Sequence, residues 1–257
     1  MLRRTLRRFK KSTFAKPAEG QNSPLDDFET RSRHDQAKLA FYPHQVLLQK
    51  APEISMEEIK SEGFIPKIYK MNRIAQEYQL MSISAPKIYW PGRVIIVKSR
   101  HDTGEYECWI NPEIPGYDDK RSVSPMYGFW ESCGCCGDAA AWVIRPQQVT
   151  VFGLDEYGRE RKEVLGGIRA RTIMHELDHL NGVSMMHQAP SPDYIVTTHA
   201  LMQRDQWPPN FPSAEAQMTP VMHFFNYVTN CTEVPKGLEY LGNAAPDFAE
   251  FKDPKIE

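Results

Sequence analysis

The sequence predicts an α+β fold with antiparallel sheets, and three observations carry that prediction. Segments rich in β-branched and aromatic residues gather in the middle of the chain, helical patterns flank them, and strands and helices do not alternate as a parallel sheet requires. Two of the strand segments meet across Asp155-Glu156-Tyr157-Gly158, a turn-rich tetrapeptide suited to a hairpin. With 257 residues, 41% of them hydrophobic and 25% charged, the chain can bury one substantial core and carry extensions beyond it.

Taken in order, residues 1–18 contain Arg3, Arg4, Arg7, Arg8, Lys10, Lys11 and Lys16 with no acid, and Leu2, Leu6 and Phe9 recur at helical spacing. This composition predicts an organellar targeting segment, mitochondrial or of another organelle, and it also suits a basic arm that touches RNA or anionic lipid. Residues 19–40 are polar, with Gly20 and Pro24, and read as a linker to a domain over 41–190. Ile65, Ile68, Met71, Ala75 and Tyr78 mark a helix from Phe64 to Leu80. Strands follow at Arg93–Lys98, Cys108–Ile110, Trp142–Ile144, Val149–Leu154 and Lys162–Leu165. Residues 191–257 are proline-rich, with short helical windows at Val196–Arg204 and Pro220–Val228, and should pack on the domain as an extension.

Bulk properties exclude several classes of function. A net charge of −2 gives no global reason to expect a polyanionic partner, so no direct nucleic-acid role is predicted for the body of the chain. No apolar stretch approaches the ~18 residues of a membrane helix. Five cysteines, three of them crowded at Cys133, Cys135 and Cys136, make a poor disulfide framework and fit metal ligation in a reducing compartment. Cys135 and Cys136 are either oxidation-prone neighbours of a ligand or small packing residues. Cys108, Cys231 and the histidines at 34, 44, 101, 187, 199 and 223 lack ligand spacing and read as structural.

The chemistry concentrates in His175-Glu176-Leu177-Asp178-His179. On a helix, positions i and i+4 are neighbours, so His175 and His179 can grip one cation while Glu176, one step round, reaches a water beside it. Gly166-Gly167 precede the run and Asn181-Gly182 offer a left-handed stop after it. Ile173, Leu177 and Leu180 form a stripe that packs the opposite face. A catalytic site of this kind needs a third protein ligand and an open position, and Cys133, 42 residues before His175, is the natural candidate.

Three ordered motifs then carry a resemblance. Leu80-Met81-Ser82-Ile83-Ser84-Ala85-Pro86-Lys87, Glu131-Ser132-Cys133-Gly134-Cys135 and Met174-His175-Glu176-Leu177-Asp178-His179 resemble, in order and spacing, the G-x-G-x-[AS]-A-P-Q, E-G-C-x-S and Q-H-E-x-D-H motifs of the peptide deformylases. The resemblance spans roughly residues 44–187. It implies an α+β domain of antiparallel sheets around a central metal-binding helix, and removal of formate from N-formylmethionine on nascent chains, with the organellar ribosome as a further partner. It implies Cys133, His175 and His179 as ligands, Glu176 as the acid/base, Fe(II) as the more active metal and Zn(II) as a second candidate. Gly134, through its backbone N–H, and Lys87 would donate to the developing oxyanion.

The departures lie in the cleft. Lys87 stands where the family has glutamine, and repulsion from the ion favours its deprotonation or rotation away. Leu80 and Ser82 replace two glycines and should crowd the cleft; Gly134 replaces a leucine and should loosen the methionine pocket. Glu131 and Arg145 pair, either to fix the Cys133 loop or as a plain structural bridge, and Asp178 either holds a histidine or solvates its helix. Two other readings remain open on the residues alone: a metal- and peptide-binding protein impaired in turnover, and a metalloprotease built on the same helix motif.

Overall fold

The computed structural model describes residues 39–99, 106–117, 126–219, 224–226 and 231–233. The targeting segment and most of the linker expected before residue 40 lie outside these. Two long helices, α1 (Phe64–Glu77) and α2 (Gly167–Leu180), pack with antiparallel strands β1 (Ser82–Ser84), β2 (Val94–Lys98), β3 (Tyr106–Glu113), β4 (Met126–Ser132), β5 (Ala139–Pro146), β6 (Gln148–Leu154), β7 (Glu160–Gly166) and β8 (Ile195–Thr197). One sheet runs β1-β2-β3-β6-β7 and a second β4-β5-β8. The expected antiparallel α+β architecture is the one observed.

The unbroken apolar run of β2 has a direct cause: both faces of the strand are covered. Val94 and Ile96 point to the α1 side, with Phe64, Ile68, Met71 and Ile74, while Ile95 and Val97 face α2 with Ile173, Met174, Leu177 and Leu180. Every residue of α2 is buried. The predicted apolar stripe of that helix lies on the five-stranded sheet, and its other face turns toward β4 and β5.

Both long helices end in the same hydrogen-bonded cap. In α1, Leu80 N–H donates to Ala75 O and Gln79 N–H to Gln76 O, with Gln79 at φ 52°. The helix therefore stops at Glu77, short of the expected Leu80. In α2, Val183 N–H donates to Asp178 O and Gly182 N–H to His179 O, with Gly182 at φ 75°. The Asn181-Gly182 stop is thus realised, and a Cβ at Gly182 would also lie 2.9 Å from the Leu48 backbone.

Several element boundaries differ from expectation. β3 continues past Ile110 because Asn111, at φ 49°, bonds both backbone groups of Ile54 and the pairing with β6 shifts register between Ile110 and Glu113. β4 is an element that sequence periodicity did not assign. Its Gly128 admits the Trp142 ring, which a Cβ would meet at 1.7 Å. Within the expected helix Val196–Arg204, Val196 and Thr197 belong to β8, pairing with Ala140 and Ala139; a helix occupies only Thr198–Leu201, capped by the Thr197 side chain, and a 3-10 turn begins at Arg204. In the window expected to be helical at Pro220–Val228, Phe224–Asn226 pairs antiparallel with Cys231–Glu233. Among the described residues after 190, Leu201, Trp207 and Ala216 lie against Trp130 and Trp142, and Trp130 Nε1 donates to Ala216 O at 2.7 Å.

Candidate metal centre

The turn after β4 carries Cys133 to α2, where its Sγ lies 3.3 Å from His179 Nε2. His175 lies one helical turn before, its imidazole edge-on to that of His179 with the centroids 5.0 Å apart. One donor atom from each of Cys133, His175 and His179 lies within 4.8 Å of the others, and all three residues are buried. A soft thiolate with two imidazoles is a donor set that suits zinc or iron(II), so the residues present fit a divalent ion.

A buried charge network holds these side chains in place. Glu131 accepts from Arg145 Nε at 2.7 Å and Nη2 at 2.9 Å, and from Arg171 Nη1 at 2.6 Å. Burial opposes its ionisation, but the Arg145 charge, hydrogen bonds from Arg145 and His175, and Arg171 hold its carboxyl well below the usual range. An ionised carboxylate only accepts, so His175 Nδ1, 3.0 Å from Glu131 Oε2, carries the proton and Nε2 is the atom that could ligate an ion. Arg145 also donates to Asp178 Oδ2 at 2.8 Å and to the Tyr117 hydroxyl at 2.7 Å. The Glu131–Arg145 pair therefore does more than bridge two strands, since it orients a histidine. Asp178 does not solvate its helix and does not hold a histidine: it takes hydrogen bonds from Arg145, Tyr117 and Gln188.

Glu176 sits at the centre of a second cluster. Its Oε1 accepts from Ser82 Oγ at 2.7 Å and Lys87 Nζ at 2.8 Å, while Oε2 is buried with no partner. Burial alone would raise this carboxyl, but the Lys87 ammonium and the imidazoles of His175 and His179 outweigh it and hold it down at about 2. Lys87 faces the site and pairs with Glu176, where the negative charges of Cys133 and Glu176 outweigh burial and push its ammonium above the ordinary range. Leu80 is a correction to expectation: it packs into the α1 core with Phe64 and Ile83 rather than crowding the cleft. Ser82 does enter the site, as a hydrogen-bond partner of Glu176.

Cys133 keeps close company. Cys135 Sγ lies 3.2 Å from Cys133 Sγ and 3.8 Å from His179 Nε2, and Cys136 Sγ lies 3.8 Å from that of Cys135. Burial opposes ionisation of Cys133, yet thiol hydrogen bonds from Cys135 and Cys136 and the Lys87 charge hold it well below the usual thiol range. Among the described histidines, His44 and His187 bond local backbone and His199 sits on Asp138, as structural residues do.

Sequence reasoning missed Arg171, Tyr117 and Ser82 as supports. Arg171 left a signal: four residues before His175, it is a cation on the working face of a buried helix. Tyr117 left none, lying 61 residues from Asp178, which it touches.

With this geometry in place, comparison decides the family. The profile of polypeptide deformylases matches residues 36–193. The chain belongs to the polypeptide deformylase family. A peptide deformylase of Leptospira biflexa is 28% identical over 146 residues, covering 54% of this chain and 79% of that protein. The tomato (Solanum lycopersicum) protein named peptide deformylase 1A, chloroplastic, is 29% identical over 156 residues, 53% of each chain. The crystal structure of a Synechococcus elongatus peptide deformylase in complex with actinonin superposes with a TM-score of 0.54 at 26% identity, covering 61% of this chain and 80% of that one. The deformylase-like fold read from the three motifs is therefore the fold present.

Proposed function

We infer that the chain removes the formyl group from N-formylmethionine of nascent proteins, with Cys133, His175 and His179 holding a divalent ion and Glu176 moving the proton. The observation that carries the residue roles is the meeting of the Cys133 sulfur with the paired imidazoles of α2 beside a carboxylate oxygen without a partner. A divalent ion in this donor set supplies Lewis acidity, polarising the formyl carbonyl and acidifying water near neutral pH. Glu176 takes the proton of the attacking water on Oε2 and returns it to the departing amine, while Ser82 and Lys87 steady it through Oε1. The Gly134 N–H donates to the developing oxyanion. Lys87 has two further N–H groups beyond the one given to Glu176 and supplies a second donor.

Iron(II) is the metal proposed for the active form, with zinc(II) as the alternative. Residues 41–190 form the catalytic domain, 191–257 an extension packed on it, and 19–40 a linker behind a mitochondrial targeting segment at 1–18. The acid-free basic composition of that segment supports an organellar home, and so does the similarity to a chloroplastic relative. Organellar ribosomes are the proposed source of substrate. No described helix is long and apolar enough to cross a membrane.

One observation favours a second reading. The ion pair with Lys87 makes Glu176 a weak base, which fits a chain that binds metal and peptide with little turnover. Anaerobic assay of iron-loaded protein on formyl-Met peptides separates the two: formate release supports the hydrolase, and its absence in fully loaded protein supports the binding protein.

A further inference from the structure

We propose that Cys135 is a second thiolate donor to the ion, an exchangeable fourth ligand that closes the position otherwise left for water and substrate. The proposal rests on the metal-binding reading above and adds a regulatory ligand to it. Three donors, Cys133 Sγ, Cys135 Sγ and His179 Nε2, stand 3.2, 3.3 and 3.8 Å from one another. Sulfur at ~2.3 Å and nitrogen at ~2.0–2.1 Å from one tetrahedral ion are separated by roughly 3.5–3.8 Å. The two sulfur–nitrogen separations lie within a few tenths of an ångström of that and the sulfur–sulfur one is about half an ångström short, so the Cys135 side chain must swing outward slightly for one ion to touch all three.

The backbone keeps the two sulfurs together. Cys136 N–H donates to Cys133 O at 2.9 Å in a tight turn, and Tyr42 N–H holds the Cys135 carbonyl at 2.7 Å. Both side chains are almost fully buried. Cys135 releases its proton to solvent when it binds, as a coordinated thiol does, and takes one back when it leaves. With it bound, the centre has two sulfurs and two nitrogens, the closed arrangement of structural zinc sites. With it released, three protein donors and an open position remain, the arrangement of catalytic sites.

X-ray absorption at the metal edge of zinc-loaded full-length protein tests this by counting sulfur neighbours. Two sulfurs are expected in the wild type, one in C135S and two in C136S. One sulfur in the wild type overturns the proposal, and so does loss of the second sulfur in C136S instead of C135S. If C135S does not fold, a C136S/C231S variant decides: two sulfurs there leave Cys135 as the second donor, since Cys108 lies in the α1 core, and one sulfur refutes it. Formate release from the same samples, reloaded with iron, keeps the two readings apart. Two sulfurs without hydrolysis preserves the ligand and removes the deformylase activity, and one sulfur with hydrolysis does the reverse.

Discussion

Lys87 and Glu131 show how single side chains set the chemistry of this centre. Lys87, together with the imidazoles of His175 and His179, holds the Glu176 carboxyl at about 2, far below the pKa that suits a base at neutral pH. Replacing it with glutamine keeps a donor and removes the charge, so Glu176 becomes more basic. Lys87→Gln is expected to raise turnover on formyl-Met peptides and to move the acid limb of the pH–rate profile upward, and an unchanged profile would show that the pair does not tune the base. Glu131 neutralises two buried guanidinium groups and orients His175. Glu131→Gln should destabilise the protein by about 3–5 kcal/mol, as when a buried ion pair loses one partner, and weaken metal binding by about 10–100-fold; calorimetry and metal titration check both. In metal-free protein the signs run opposite ways for two groups. His175, raised from 6.5 to about 10 by Cys133 and Glu131 against the effect of burial, contributes stability below 6.5 that is lost as pH rises towards 10. Glu176, lowered from 4.5 to about 2, contributes stability above 4.5 that is lost as pH falls towards 2. The urea midpoint of the metal-free chain should therefore decline on both sides of the interval from 4.5 to 6.5.

Among the elements, α2 joins fold to function. Its apolar stripe packs on the five-stranded sheet while His175, Glu176 and His179 turn inward, so core and site share one helix. Leu177→Ala should cost about 2–5 kcal/mol of unfolding free energy and loosen the metal ligands on either side of it. A chemical-denaturation shift with unaltered metal affinity would contradict that linkage. Gly182→Ala combines a left-handed φ with a 2.9 Å contact to Leu48 and should also lower the midpoint. This helix was legible in the sequence because its signals are local: the spacing of its histidines, its stripe and its Asn-Gly stop. β4 and β8 were not. Gly128 makes sense only with Trp142 lying across it, and Ile195–Thr197 becomes a strand because β5 offers an edge more than fifty residues earlier. The meeting of Cys133 with His175 and His179 was legible through spacing, whereas Tyr117, Ser82 and the orientation of Lys87 depend on contacts between distant segments.

At the scale of the whole molecule, the centre is assembled where the turn after β4, the β1 segment and α2 converge, and residues between 195 and 216 cover part of the second sheet. Trp207, Leu201 and Ala216 cover Trp130 and Trp142, and Trp130 is two residues before the sheet ends and three before Cys133. A chain ending at residue 190 would expose both indoles and leave the β5 edge unpaired. It is expected to unfold at lower temperature than the full chain, and an equal melting temperature would show that the extension contributes nothing to the domain. The central claim is that Cys133 and the two histidines hold the ion while Glu176 carries the proton. Formate release from formyl-Met peptides by anaerobically iron-loaded wild type and Glu176→Gln, with metal content measured on the same samples, tests it most directly: the account predicts full metal in both and turnover in the wild type alone, and a Glu176→Gln variant that releases formate at the wild-type rate would contradict it.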